Sequence, residues 1–157
     1  IESNLLYSKK DANAKDIESA LAISQSTEFV SKKPEGIHSE ISQGGTNVSG
    51  GQRQRLSIAR AIVRKPEIYI FDDSFSALDF KTDAKLREAL AASCKETKST
   101  VLLVAQRISS ILHADQIIVL DEGKMVGKGT HAELMESCDV YQQIASSQLT
   151  KEELANV

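Results

Sequence analysis

Cysteine and proline are scarce in this chain, and their scarcity already narrows its class. Two cysteines, Cys94 and Cys138, make neither a disulfide framework nor a four-ligand zinc site, which fits a reducing compartment. Two prolines and 8 glycines among 157 residues exclude collagen-like and mucin-like chains. Long hydrophobic runs are missing as well. The longest, Val101–Ala105 and Ile117–Leu120, have the length of core strands and fall far short of the roughly 20 residues of a membrane-spanning helix. Neither charge dominates: 19 Lys and Arg face 22 Asp and Glu, and the net charge of -3 argues against broad electrostatic binding to nucleic acid or anionic lipid. The chain begins Ile1-Glu2-Ser3-Asn4, without an initiator Met, a charged n-region or an apolar h-region. Such a start is expected of the middle of a longer polypeptide, and any membrane segment is expected outside these residues. No internal repeat or low-complexity segment is seen.

What remains is ordinary globular composition, 41% hydrophobic and 26% charged, in the length of one domain. A domain of this size buries roughly 70% of its unfolded surface. Residues 1–10 carry little signal beyond Leu5, Leu6 and Tyr7. From Asp11 the spacing of Ile17, Ala20, Leu21 and Phe29 is helical, with Asn13 and Ser26 as N-caps and Lys32–Gly36 as a stop and turn. Residues 37–48 are polar and Gly-containing, hence loop or short extended structure.

Ser49 caps a second helix that runs through Leu56, Ile58, Ala59, Ile62 and Val63 to a break at Lys65-Pro66. Ile68–Phe71 and Val101–Val104 read as buried strands flanking a helix over residues 82–97, with Ala84, Leu86, Ala89, Leu90 and Ala91 on its apolar side. Strand, crossover helix and strand form a βαβ unit and predict a parallel sheet. Ile117–Leu120 and Met125-Val126 predict two short strands around a turn, and Thr130–Leu149 predicts a helix. Residues 150–157 are polar and expected to fray.

Two groups of residues could do chemistry. Asp72 and Asp73 follow the first strand, and carboxylates at the C-terminal end of a parallel strand sit where α/β folds bind ligands. Asp72 is placed to hold Mg²⁺, which takes one or two carboxylates with phosphate oxygens and water. Asp73 could orient or deprotonate an attacking water. Two bare aspartates after a strand also suit a solvated turn. Ser49-Gly50-Gly51-Gln52 places a hydroxyl and two unobstructed N–H groups at a helix N-terminus, whose partial positive charge suits a phosphate. The same four residues alone also suit a flexible capped turn.

Order along the chain is more specific than either group. Asn47-Val48-Ser49-Gly50-Gly51-Gln52-Arg53-Gln54-Arg55 precedes Ile58-Ala59-Arg60-Ala61, then Ile68–Asp73, Ser76-Ala77-Leu78-Asp79, Val104-Ala105-Gln106-Arg107, Ala114-Asp115, Ile117–Leu120, Gly123 and Gly129-Thr130-His131. This succession resembles the C-terminal two-thirds of an ATP-binding cassette (ABC) nucleotide-binding domain, and it covers nearly the whole chain. The exporter branch is most similar, through Gly129–Leu134 (Gly-Thr-His-x-Glu-Leu) and the helical insert before Ser49.

The resemblance implies an α/β, P-loop NTPase-like (RecA-like) parallel sheet with an α-helical subdomain. Residues 11–65 would form that subdomain up to the Ser49 helix, 66–130 a partial RecA-like core and 131–157 a C-terminal helical tail. By resemblance, Ser49, Gly50, Gly51 and Gln52 match the signature loop, which reaches ATP held by the opposite domain of a head-to-tail dimer. Asp72 matches the Walker B aspartate supporting Mg²⁺, and Asp79 closes the D-loop, Ser76–Asp79, at the dimer interface. Residues 11–35 match the part that couples to membrane-domain loops. The implied partners are a second nucleotide-binding domain and a transmembrane domain fused upstream, without nucleic acid, at the cytoplasmic face of a membrane.

Three positions depart from the family pattern. The catalytic base is usually Glu where Asp73 stands, and one methylene less withdraws the carboxylate by about 1.5 Å. A misplacement near 1 Å costs about 100-fold in rate. The switch histidine is usually found where Gln106 stands, and glutamine donates a hydrogen bond but takes up no proton near pH 7. Gln43 replaces a Glu common in exporters. Asp73 and Gln106 belong to groups serving the domain's own nucleotide, whereas the signature serves the partner's. The combination resembles the degenerate subunit of a heterodimeric exporter.

The P-loop Gly-x-x-x-x-Gly-Lys-[Ser/Thr] is absent, and Gly123–Thr130 has the wrong spacing for one. In the family that loop precedes the position of Ile1, so this stretch alone is expected to bind ATP poorly. Arg53, Arg60 and Arg64 form a stripe that reads as a solvated face, and His38, His113 and His131 offer no paired metal spacing. His131 is expected at a helix start, Cys94 as packing, and Tyr69, Phe71 and Phe75 as core. Two other functions compete: a soluble ABC-type switch in DNA repair or translation, and a non-hydrolytic regulatory module. The close spacing of the motifs favours the transporter over the first, and the intact signature and D-loop disfavour the second.

Overall fold

A computed structural model describes residues 1–149, so the expected frayed end, 150–157, lies outside the described residues. The chain is mixed α/β and divides into two compact units, Ile1–Leu102 and the residues from Leu103 onward.

The first unit opens with helix α1 (Glu2–Ser8), then α2 (Ala14–Ile23) and α3 (Thr27–Ser31). Asn13 caps α2 by accepting the Asp16 N–H, as the sequence predicts, whereas Ser26 precedes α3 without a side-chain cap. Two 3₁₀ turns, Gly36–His38 and Gln43–Gly45, occupy the polar stretch before helix α4 (Gly50–Ile62). Helix α4 packs against α1 and α2, burying Leu56, Ile58, Ala59 and Ile62. Arg55 leaves the same helix sideways: its guanidinium donates to the Gln25 carbonyl and lies 4.8 Å from the centre of the Phe29 ring. A second tie is ionic. Asp16 is buried between the ammonium groups of Lys9 and Lys65, which hold its carboxyl at about 2.

Strand β1 (Ile68–Asp72), helix α5 (Phe80–Thr97) and strand β2 (Thr100–Val104) follow, and β1 pairs with β2 in parallel, as the βαβ reading predicts. Burial of the strands differs from expectation. Tyr69 and Phe71 are buried and stacked 5.8 Å apart, but Ile68 and Ile70 on the other face of β1 are exposed, because the period of two sends alternate side chains to an uncovered face. In β2, Val101, Leu102 and Val104 are all exposed. Helix α5 starts two residues earlier than predicted because Asp79 caps it, and Ala84 and Ala91 face solvent, leaving Leu86, Leu90 and Cys94 as the buried line. Helix α1 escaped the sequence reading altogether; Leu5 alone among its residues is buried.

The second unit contains a 3₁₀ turn (Ile108–Ser110), strands β3 (Ile117–Asp121) and β4 (Lys124–Gly129), and helices α6 (His131–Ser137) and α7 (Asp139–Gln148). Strands β3 and β4 form an antiparallel hairpin, with positive φ at both Glu122 and Gly123, the backbone of a type I′ turn. Gly123–Gly129, whose spacing is wrong for a P-loop, is therefore the turn and second strand of a hairpin. The single helix predicted over the tail is two, broken at Cys138, whose φ of -129° and ψ of 100° are extended. Cys138, Leu134, Tyr141, Ala145 and Leu149 pack with Ile108, Ile117 and Val119 into one cluster. His131 starts α6, capped by Thr130, and its Nδ1 lies 2.8 Å from the buried Tyr141 hydroxyl.

Candidate functional site

The site of the first unit is built where the start of α4 meets the loop after β1. Ser49 is extended and accepts the Gln52 N–H, while Gln52 Oε1 accepts the Ser49 N–H, a reciprocal capping box. The two side chains thus hold each other and fix the helix start. The N–H groups of Gly50 and Gly51 belong to the first turn, whose donors an α-helix leaves without intrahelical acceptors. A Cβ at Gly50 would meet nothing within 4 Å, so that surface is open to an approaching group. At Gly51 the requirement is internal: a Cβ there would come within 3.1 Å of the Ala77 carbonyl oxygen.

Asp72 ends β1, and Asp73 follows with φ of 46°. Left-handed backbone is costly for most residues, and Asp and Asn tolerate it best among non-glycines. Both aspartates are exposed. From there the chain turns back against α4, and Gln54 holds the turn. Its Nε2 donates to the Asp73 carbonyl at 3.2 Å and to Ser76 Oγ at 3.4 Å, and its Oε1 accepts the Ala77 N–H at 3.0 Å. Ser76 Oγ donates to the same Asp73 carbonyl. The helix that presents Ser49–Gln52 is therefore joined directly to the segment carrying Asp73 and residues 76–79. The sequence reading singled out the ends of this connection and missed Gln54.

Asp79 is committed to structure: its two oxygens accept the Thr82 N–H at 2.9 Å and the Thr82 hydroxyl at 2.8 Å, capping α5. Those hydrogen bonds hold its carboxyl below the usual carboxylate range. Among the described residues no group of three or more His, Cys, Asp or Glu is arranged to hold a metal. The donor set at Asp72 and Asp73 still fits Mg²⁺, whose coordination is completed by phosphate oxygens and water rather than by a protein cage.

Gln106 belongs to the second unit. Its side chain is exposed, and its backbone carbonyl accepts from Gln148 Nε2 at 2.9 Å. Arg53, in the stripe read as solvated, donates to the Gly44 carbonyl at 3.1 Å and so braces the loop before Ser49.

The chain has known relatives. The ABC transporter family model matches residues 2–76, the span from α1 through the loop after β1. An ABC transporter ATP-binding protein of Mycobacterium tuberculosis is 49% identical over 129 residues, 82% of this chain and 22% of that protein. The chain belongs to the ABC transporter ATP-binding family. Bacillus subtilis YfiB, also named an ABC transporter ATP-binding protein, is 41% identical over 97% of this chain and 26% of its own length. A Rickettsia felis protein bearing the name export ATP-binding/permease protein is 38% identical over 96% of the chain. A solved structure of a bacterial Atm1-family ABC exporter with ATP bound superposes with a TM-score of 0.89, at 29% identity over 96% of this chain and 26% of that one. The fold is accordingly that of an ABC exporter nucleotide-binding domain, a P-loop NTPase fold. The chain spans about a quarter of the length of these relatives.

Proposed function

We propose that this chain is the ATP-binding part of an ABC exporter subunit, an ATPase coupled to transport that pairs head to tail with a second nucleotide-binding domain. The observation that carries this reading is the start of α4: a capped helix end with open space at Gly50, tied through Gln54 to the Asp73 loop. A positively polarised helix end with open space at Gly50 is suited to phosphate oxygens arriving from outside. In this reading Ser49, Gly50, Gly51 and Gln52 face the partner's ATP, and Asp79 acts at the interface by fixing the start of α5. Residues 11–65 serve as the helical subdomain, 66–130 as part of the RecA-like core and 131–157 as the tail. A transmembrane domain is the second partner, and the domain works at the cytoplasmic face of the membrane.

Asp72 would hold Mg²⁺, which offsets the phosphate charge when bound. Asp73 orients water for the nucleotide of its own domain, and Gln106 donates a hydrogen bond there without a change of charge. The shorter carboxylate and the uncharged amide make that site a slow one, and the intact Ser49–Gln52 loop completes a competent site on a heterodimeric partner. Lacking a Gly-x-x-x-x-Gly-Lys-[Ser/Thr] loop, the isolated 157-residue chain binds ATP weakly. The test is gain of function. Asp73→Glu combined with Gln106→His in the assembled transporter is expected to raise ATP turnover severalfold or more, since restoring about 1 Å of reach recovers up to about 100-fold at one site. No gain, with nucleotide still bound, would remove the assignment of those two residues.

A further inference from the structure

Gln106 follows β2 by two residues and starts an extended link to the 3₁₀ turn at Ile108. Arg107, the residue before the turn, makes no side-chain cap to it. The cap comes instead from the far end of the unit. Gln148, the last residue of α7, accepts the Ile108 N–H on Oε1 at 2.9 Å and donates from Nε2 to the Gln106 carbonyl at 2.9 Å. One carboxamide therefore grips both peptide units that flank Arg107, 40 and 42 residues away in sequence.

The grip has a rigid base. Tyr141 and Ala145 lie one turn apart on the buried side of α7 and, with Leu149 just beyond its end, pack in the cluster that also contains Ile108. Gln148 lies at the rim of that face, so the apolar contacts set where its amide can reach. Ile108 anchors the link from below through its side chain and is held above through its N–H. A glutamine is specifically suited to this job, because a carboxamide offers one acceptor and one donor side by side. Glutamate would keep the acceptor for Ile108 and set a carboxylate against the Gln106 carbonyl. Leucine or methionine would offer neither group.

We infer that Gln148 is a positioning residue for Gln106: helix α7 fixes the backbone immediately after the switch position, at the Gln106 carbonyl and the Ile108 N–H, and thereby aims the Gln106 side chain at the nucleotide. This rests on the reading that Gln106 acts on ATP. It adds the tail helix to the parts that set the hydrolysis rate.

The test uses the full-length transporter in a Ser49→Ala background, so that residual turnover reports the nucleotide on which Gln106 acts. With both hydrogen bonds to the link lost, Gln148→Ala is expected to lower kcat about 10-fold, short of the roughly 100-fold cost of a 1 Å displacement, with KM for ATP changed less than about twofold. Gln148→Glu is expected to fall at least as far. In a Gln106→Ala background, Gln148→Ala should lower kcat no further, which a general loss of folding would not reproduce. Hydrogen exchange at the Ile108 amide, read without nucleotide, should accelerate about 10-fold with Gln148→Ala, the loss of roughly one hydrogen bond. Unchanged kcat in Gln148→Ala, or an equal loss with and without Gln106, overturns the inference. If Gln106→Ala alone leaves turnover as it was, the reading of Gln106 falls, and the role of Gln148 falls with it.

Discussion

A methyl group added at Gly50 meets open space, whereas one added at Gly51 ends 3.1 Å from the Ala77 carbonyl oxygen. The two neighbours at the start of α4 thus separate what the fold requires from what the proposed ligand would require. Gly51→Ala is an overpacking change costing about 1–3 kcal/mol, read as a lower melting temperature and looser protection of residues 73–77. Gly50→Ala is expected to leave the melting temperature unchanged while lowering ATP turnover of the assembled transporter by about 100-fold, the scale of a 1 Å displacement of the bound phosphate. Equal loss of stability in both variants would mean that Gly50 has a structural role after all. Asp73 illustrates the same division. Its φ of 46° is better tolerated by Asp than by Glu, so the residue proposed to weaken hydrolysis also relaxes the backbone. The cap at Ser49 was legible in the sequence, because a cap depends on residues close in the chain, whereas the cap at Asp79 was not read from it and the start of α5 was placed two residues late. Gln54 was not, since its partners lie 19 to 23 residues away and glutamine within a helix carries no local signal.

At the scale of elements, α4 is the hub of the first unit. Gln54 holds the loop after β1 and Arg55 holds the turn between α2 and α3, so one helix start is fixed from two directions. Gln54→Ala removes one side only. Its expected effect is faster hydrogen exchange across residues 73–77 without faster exchange at residues 24–29, and uniform acceleration would contradict the division. Below these ties, Asp16 fastens α2 to Lys9 and to Lys65 beyond α4. Its carboxyl is held at about 2, below its ordinary 3.8, chiefly by the hydrogen bonds from Lys65 and Lys9. A depressed carboxyl stabilises the fold fully above pH 3.8, and the contribution is lost as pH falls from there toward about 2. Asp16→Asn should therefore destabilise at neutral pH and show a shallower decline between pH 4 and 2 in denaturant melts; an unchanged acid slope would contradict it. The helices with several buried apolar residues were readable from spacing. Helix α1 was not, because only Leu5 is buried, and the break at Cys138 was not, because both sides of it carry apolar residues that continue the helical pattern.

For the whole molecule, the small number of cysteines, prolines and long apolar runs pointed to an ordinary globular domain, and the order of short motifs pointed past it to an ABC exporter domain. Composition is blind to motif order, so it could set the class and not the family. The described residues contain no helix long and apolar enough to cross a membrane, and the exporter-like relatives are about four times longer. The proposed function places this chain in a dimer, with its own nucleotide served poorly by Asp73 and Gln106 and its partner's served well by Ser49–Gln52. The most direct test is ATP turnover of the assembled heterodimer carrying either Ser49→Ala or Asp73→Asn. The account predicts that Ser49→Ala abolishes most of the turnover and that Asp73→Asn leaves it nearly unchanged; loss of turnover with Asp73→Asn and not with Ser49→Ala would contradict it.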